Sequence, residues 1–502
     1  MAKRSYYIST SIPYVNAAPH IGHALEFVQA DVLARYHRRR GDDVFFLTGT
    51  DENSLKNVIA AETAKVQVKD WVERLAKVFK NLAQKLSISN NDFIRTSAEK
   101  RHIDGAKKLW NACRPEDIYK KKYKGLYCIG CEEFKTMKDL QGGRCEEHPN
   151  QDIQEVEEEN YFFRLSAYQD RLEKLIADDA LLIVPESRKN EILSFIRGGL
   201  EDFSISRSRE RAKDWGVPVP GDQNQIMYVW VDALSNYITA LDYADNGEKY
   251  QKYWVGGDNI CHLIGKNITR FHAVYWPAIL LSAGVRLPQT LFVHGFFTIN
   301  GQKISKSLGN VIDPFDLIEK YGTDALRYYL LSEIPSHEDG DFSIEKFEAR
   351  YNGNLANGLG NYAARVLTLA HNANIANWNA NVANEEIQEK IKGTRKTVSE
   401  KIDDFKLHEA LSTIWELISF GDKYINENKP WAKSVEDGSP EQASEARFRE
   451  ITIYNALYIL ENVAELLKPF LPETADKVLR AIQHSGKNIE VNKLPPLFPR
   501  LQ

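Results

Sequence analysis

The first 50 residues change hydrophobic pattern twice. "SYYIST" (5–10) is a run of β-branched and aromatic residues, the composition of a buried strand. From Ile21 the apolar residues fall at Leu25, Val28, Val32 and Tyr36, the spacing of one helix face. Gly41 suits the stop of that helix, and "VFFLTGT" (44–50) reads as a second buried strand. The predicted unit is β-α-β, with "PYVNAAPHIGHAL" (13–25) joining strand to helix. His20 and His23 therefore open the helix, where free backbone N–H groups and the positive end of the dipole gather for an anion.

The alternation of strands and helices continues to about residue 115, the pattern of a doubly wound parallel sheet. Near Tyr119 the chain turns basic and aromatic ("YKKKYKGLYCIGCEEF"), then helical. "QIMYVWVDAL" (225–234) reads as a return to strand, and "QTLFVHGFFTI" (289–299) as another strand. We therefore expect a sheet domain in two halves, 1–117 and 225–299, interrupted by an insertion over 118–224. From about 350 to 502 only helical periodicity remains, predicting a helix bundle.

Composition narrows the function. A chain of 502 residues is long enough for two to four domains, and no apolar run is long enough to span a bilayer. "MAKRSYY" runs straight into a strand with no cleavable leader, so a soluble, cytoplasmic protein is expected. The formal net charge of −5 excludes a general polyanion binder, so nucleic-acid contact needs local basic surface. Five cysteines in such a chain do not make a disulfide framework. Cys128, Cys131, Cys145 and His148, spaced C-x2-C-x13-C-x2-H, suit a closed tetrahedral zinc site of structural type rather than ordinary cysteines beside a surface histidine. Cys113 and Cys261 lack such partners and read as core.

"NGQKISKSLGN" (300–310) sets Lys303 and Lys306 in a Gly/Ser-rich loop after a strand. Alone it reads as a solvated basic turn, as lone histidines at a helix start read as caps. Together, two phosphate-friendly elements suggest attack at the α-phosphorus of a triphosphate with pyrophosphate leaving, chemistry that needs positioning and charge stabilisation. Arg38 to Arg40 read as a solvated helix end.

These segments resemble the class I aminoacyl-tRNA synthetases, and among them the methionyl-tRNA synthetases. The family's HIGH stands as His20-Ile21-Gly22-His23, and its KMSKS as Lys303-Ile304-Ser305-Lys306-Ser307. "SIPYVNAAPHIGH", "TDE", "ISR" with "DWGVPVP", "YVWVDAL", "HLIGKNITRFH", "FVHGF" and "NENKPWA" extend the resemblance over nearly the whole chain.

The resemblance implies an α/β, Rossmann-like catalytic domain with a zinc-bearing connective peptide, its knuckle at about 123–160, a KMSKS-loop and stem-contact region over 300–349, and an α-helical anticodon-binding domain. It implies ATP at His20, Gly22, His23, Gly265, Asn267, Lys303 and Lys306, with Mg2+ accompanying ATP, and catalysis by His20, His23, Lys303 and Lys306. Methionine would meet Ser11, Ile12, Tyr14, Asp51, Trp230, Ala233, Leu234, Tyr237, Ile268 and His272, with Asp51 on the ammonium. Asn361, Arg365 and Trp431 would read the CAU anticodon of initiator and elongator tRNA(Met), since unstacked bases suit an indole platform and amide or guanidinium edges.

The sequence also departs from the family pattern. Asn53-Ser54 stand where His-Gly is common, Asn267 where an acid would bind the ATP ribose, and Leu234 where some members carry proline. The first two favour a second reading, a non-catalytic synthetase-like tRNA-binding paralogue, while intact His20, His23, Lys303 and Lys306 oppose it. A leucine, isoleucine or valine enzyme would need a longer editing insertion, a cysteine enzyme would hold zinc in its substrate pocket, and the sheet domain is too large for a simple zinc-finger binder. With no appended dimerising domain after "LPPLFPRLQ", a monomer is expected.

Overall fold

The computed structural model describes residues 3–130, 133–135, 137, 140–146, 152–303, 310–373, 383–431, 440–485 and 488–501. The chain forms two compact units, Met1–Gln84 with Ile88–His294, and Lys85–Ser87 with Gly295–Gln502.

The first unit is built on strands β1 (Ser5–Thr10), β2 (Asp43–Thr50), β3 (Asp92–Arg95), β4 (Leu182–Val184), β5 (Asn259–Gly265) and β6 (Thr290–His294). They form one six-stranded sheet in the order β3-β2-β1-β5-β6-β4, every neighbour parallel. Every residue of β1 is buried, as befits a parallel strand covered on both faces. Helices α1 (Ile21–Arg39), α2 (Lys100–Ala112) and α3 (Val229–Thr239) pack beside it. Helix α1 begins and β1 ends where the periodicity predicts, and Gly41 takes a φ of 93° after the helix.

Several expectations change, among them the all-helical end, where Ile482–Ser485 pairs antiparallel with Asn488–Val491. Of the strand expected over 225–234 only Gln225–Met227 is extended, and Val229 onward is α3. The strand expected over 289–299 is two strands, Thr290–His294 and Phe297–Ile299, parted at Gly295, where a Cβ would sit 1.9 Å from the Glu338 carbonyl oxygen. Arg38 is not simply solvated: its guanidinium donates to Ser89 Oγ (2.5 Å) and O (3.0 Å) and to Asn91 Oδ1 (2.7 Å), tying the end of α1 to the approach to β3.

Within the insertion, Ile118–Cys128 pairs antiparallel with Gln154–Phe163. This register sets Lys122 opposite Glu159 and Lys124 opposite Glu157, so the basic run faces an acidic one. The strand Leu182–Val184, β4, rejoins the main sheet beside β6.

The second unit opens with a small sheet in which Phe297–Ile299 lies between Gln302–Lys303 and Gly340–Phe342. Its helices include α4 (Asn361–Ala373), α5 (Glu385–Asp403), α6 (Leu407–Asn428) and α7 (Pro440–Leu467). The buried Arg327 guanidinium is satisfied by three carbonyls, Phe470 (2.8 Å), Pro469 (2.9 Å) and Leu86 (3.0 Å). Among the described residues, no helix is long and apolar enough to cross a membrane.

Candidate active site

Strand order reverses between β1 and β5, and open α/β sheets bind ligands beyond the carboxyl ends of strands at such a point. Ser11 and Ile12 continue from β1, Asp51 from β2, and Gly265 closes β5 ahead of the turn Lys266–Ile268. Ser11 N–H donates to Leu263 O at 3.1 Å and Asp51 N–H to Pro13 O at 2.9 Å, which locks the strand ends together. Helix α3 adds Trp230, Ala233, Leu234 and Tyr237, and the π-helical turn Phe271–Tyr275 adds His272.

The histidine pair has a defined tautomer. His20 is the N-cap of α1: its Nδ1 accepts the Gly22 N–H at 3.1 Å, and His23 Nδ1 accepts the His20 N–H at 3.0 Å. With both Nδ1 atoms accepting, the neutral rings carry their protons on Nε2. The rings lie 4.0 Å apart. Burial, then the neighbouring His20, pushes the His23 imidazole well below its ordinary range, which keeps it neutral. Gly22 serves the ring as well as the backbone: a Cβ there would come within 2.9 Å of His20 Cε1.

Among the residues expected to meet the amino acid, rings lie close together. The Tyr14 and Trp230 centroids are 6.4 Å apart, and Trp230 stacks on Phe271 at 3.8 Å. His272 Nδ1 must donate to the Ile268 carbonyl (2.9 Å), so its Nε2 accepts from the Tyr237 hydroxyl (2.7 Å). Burial lowers the His272 pKa to about 4, and it raises the Tyr237 hydroxyl well above its ordinary value. Both groups are therefore uncharged at neutral pH. The Tyr237 ring stacks at 4.0 Å on His262, whose Nδ1 meets Ser9 Oγ at 2.7 Å. Ala233 and Leu234 are buried on α3, while Ile12 and Ile268 pack partly buried against the same core.

Several residues that hold this site carry no local motif. Glu26 on α1 accepts from Ser11 Oγ at 2.6 Å and meets His294 Nε2 at 2.9 Å. Lys56 brings a cation over the Tyr14 ring at 4.8 Å. Asn267 is exposed on its turn.

The remaining expected residues lie elsewhere. Lys303 belongs to the strand Gln302–Lys303 of the second unit, whose preceding turn is held by the Gly301 N–H to Asp341 Oδ1 bond at 2.7 Å. Lys306, Cys131 and His148 lie outside the described residues. Cys128 and Cys145 are buried, at 1% and 2% exposure. Among the described residues no three metal-binding side chains come together. Cys113 and Cys261 are core residues, their thiols pushed up to about 12 by burial. Asn361 is exposed at the start of α4, and one turn on Arg365 pairs with Asp422 (2.6 Å) and Asn426 (2.8 Å) and lies over the Trp431 ring at 5.2 Å.

The family model for class I tRNA synthetases (M) matches residues 6–367, and one for the anticodon-binding domain of tRNA ligases matches 384–498. A methionine–tRNA ligase of Brucella suis is 42% identical over 491 residues, spanning 95% of this chain and 92% of that protein. The chain belongs to the methionyl-tRNA synthetase family. A Mycobacterium bovis methionine–tRNA ligase, 40% identical, spans 99% of this chain and 98% of its own. The Mycobacterium tuberculosis methionyl-tRNA synthetase in complex with methionyl-adenylate superposes with a TM-score of 0.90 at 38% identity, over 99% of both chains.

Proposed function

We propose that the chain joins L-methionine to ATP, releases pyrophosphate, and passes the methionyl group to the 3′-terminal ribose of tRNA(Met) for translation. In the first step a methionine carboxylate oxygen forms a bond to the α-phosphorus as the bond to the bridging oxygen of pyrophosphate breaks. In the second, the ribose 2′-hydroxyl attacks the acyl carbon, losing its proton, and AMP leaves.

The observation that carries this reading is the pair of capping histidines at the N-terminus of α1, whose bonded Nδ1 atoms leave the protons on Nε2, in the same unit as the buried Tyr237–His272 pair. His20 and His23 donate to phosphate oxygens, and the α1 dipole adds a fixed positive field. Lys303 and Lys306 are assigned to the charge of the departing pyrophosphate on the strength of their motif, and Mg2+ arrives with ATP as part of the substrate. Gly265 and Asn267 take the nucleotide side. Asp51 holds the ammonium, and Ser11, Ile12, Ala233, Leu234 and Ile268 shape the slot. A thioether carries no charge, and the Trp230, Tyr237 and His272 side chains proposed to surround it are themselves uncharged and polarizable, as is the Tyr14 ring, whose face carries the Lys56 cation.

Cys128, Cys131, Cys145 and His148 are proposed to hold one zinc ion. Two buried thiols, Cys128 beside buried Tyr127 and Cys145 between exposed neighbours, suit a soft cation, which would brace the insertion. Asn361, Arg365 and Trp431 are proposed to read the anticodon. The chain is proposed to work as a cytoplasmic monomer. A non-catalytic tRNA-binding paralogue would have no use for paired Nε2–H donors. The test is charging of tRNA transcripts with [35S]methionine: rapid charging of a CAU transcript and little with an altered anticodon is expected. Binding of the CAU transcript without charging would instead select the paralogue.

A further inference from the structure

The loop that carries Asp51 is fastened to α3 by a buried polar chain. The Asn53 N–H donates to Asp51 Oδ1 at 3.1 Å, and the Asn53 side-chain amide donates to Asp232 Oδ2 at 2.7 Å. Asp232 lies on α3 between Trp230 and Ala233. Its second oxygen meets His102 Nε2 of α2 at 2.7 Å, and His102 Nδ1 meets Thr239 Oγ1, also of α3, at 2.8 Å. Asp232, His102 and Thr239 are at most 1% exposed and Asn53 is 9% exposed. The loop has other ties as well, among them Asn57 Nδ2 to Asp51 O (3.0 Å), Trp215 Nε1 to Glu52 O (2.7 Å), Glu52 N–H to Thr96 Oγ1 (2.8 Å) and Arg95 Nε to Glu52 Oε1 (2.7 Å).

A carboxylate this deep is costly unless its oxygens are satisfied. It accepts only, so it dictates which partners may face it: the amide nitrogen of Asn53 and a protonated His102 Nε2. The Asp51 carboxylate and the pocket side chains of α3 thereby become parts of one hydrogen-bonded body. We infer that Asp232, acting through Asn53, is a positioning residue that fixes the distance between the ammonium-binding carboxylate and the thioether-binding rings. This inference rests on the reading of Asp51 as the ammonium ligand.

The test is pyrophosphate exchange by the full chain, with KM for methionine and for ATP measured separately. Asn53→Asp sets two carboxylates face to face and is expected to raise the methionine KM about tenfold or more, with the ATP KM within about twofold. Asn53→Ser, which keeps the backbone bond and removes the amide, should raise it by about threefold to tenfold, and guards against misfolding of the first variant. The Asn53→Asp, Asp232→Asn double variant again faces one carboxylate with one amide, and should return the methionine KM to within about threefold of the parent. No rescue by the double variant, or equal rises in both KM values, would overturn the inference. Asp51→Asn separates the two claims: an unchanged methionine KM there sinks the ammonium reading. A raised KM there, with Asn53→Ser unchanged, sinks only the positioning role.

Discussion

In the first unit, Tyr237 and His272 are buried, bonded to each other and neutral. In the second, Arg365 is partly exposed and ion-paired, and Trp431 is 45% exposed. The contrast follows from what each proposed ligand lacks. A methionine side chain presents no charge and one weak acceptor, so buried, uncharged groups such as the bonded Tyr237 and His272 suit it. Anticodon bases bring broad π-faces and hydrogen-bonding edges, so a half-open platform with an aligned guanidinium suffices. The first kind of site depends on buried networks and the second on surface groups.

The largest effect should come from Asp51→Asn, which removes the proposed counter-charge of a buried ammonium. The kcat/KM for methionine should fall about 10²- to 10³-fold, while tRNA binding measured by filter retention stays level. A matching loss of tRNA affinity would break the comparison.

The burial of His272 should also mark the pH profile of stability. The folded-state pKa of His272 is about 4, against 6.5 for an open imidazole, so between these values the unfolded chain binds a proton that the folded chain refuses. Its contribution is complete above about pH 6.5 and is lost as pH falls towards 4, at most about 3 kcal/mol. Urea unfolding of His272→Gln across this window should show a shallower slope. Some slope remains, because burial also lowers His23 and His262.

Trp431→Ala should cost about 1–3 kcal/mol of stacking, read as a rise in the KM for tRNA with pyrophosphate exchange unchanged. If the proposed zinc is held, a chelator should expose 128–148 to protease and leave methionine-dependent exchange within about threefold, since a closed site offers structure rather than chemistry. The smallest effect is Asn267→Asp, where restoring a charge-assisted bond to the ribose should lower the ATP KM by about twofold to fivefold. An unchanged ATP KM would remove Asn267 from the nucleotide site.

What was legible in the sequence depends on how local the signal is. The strand at 5–10, the start of α1 and the capping histidines are short-range patterns, and each stands where it was read. The segment 225–234 misled because α3 is buried almost all round. Its β-branched and aromatic residues then show no polar face, and a buried helix and a buried strand look alike. Asp232 with His102, 130 residues apart, and Glu26 with His294, 268 apart, were invisible for another reason: only the tertiary fold pairs them. Asn53 was visible as a departure from the family, but its bond to Asp232 was not.

The most direct test of the account is ATP–pyrophosphate exchange by the purified, zinc-loaded chain with each of the 20 amino acids in turn. The proposed methionine site, with its uncharged Tyr237 and His272 and the two proposed Nε2–H donors, predicts exchange with methionine and little with any other. Equal exchange with leucine or isoleucine would contradict the pocket assignment, and no exchange from folded protein would contradict catalysis itself.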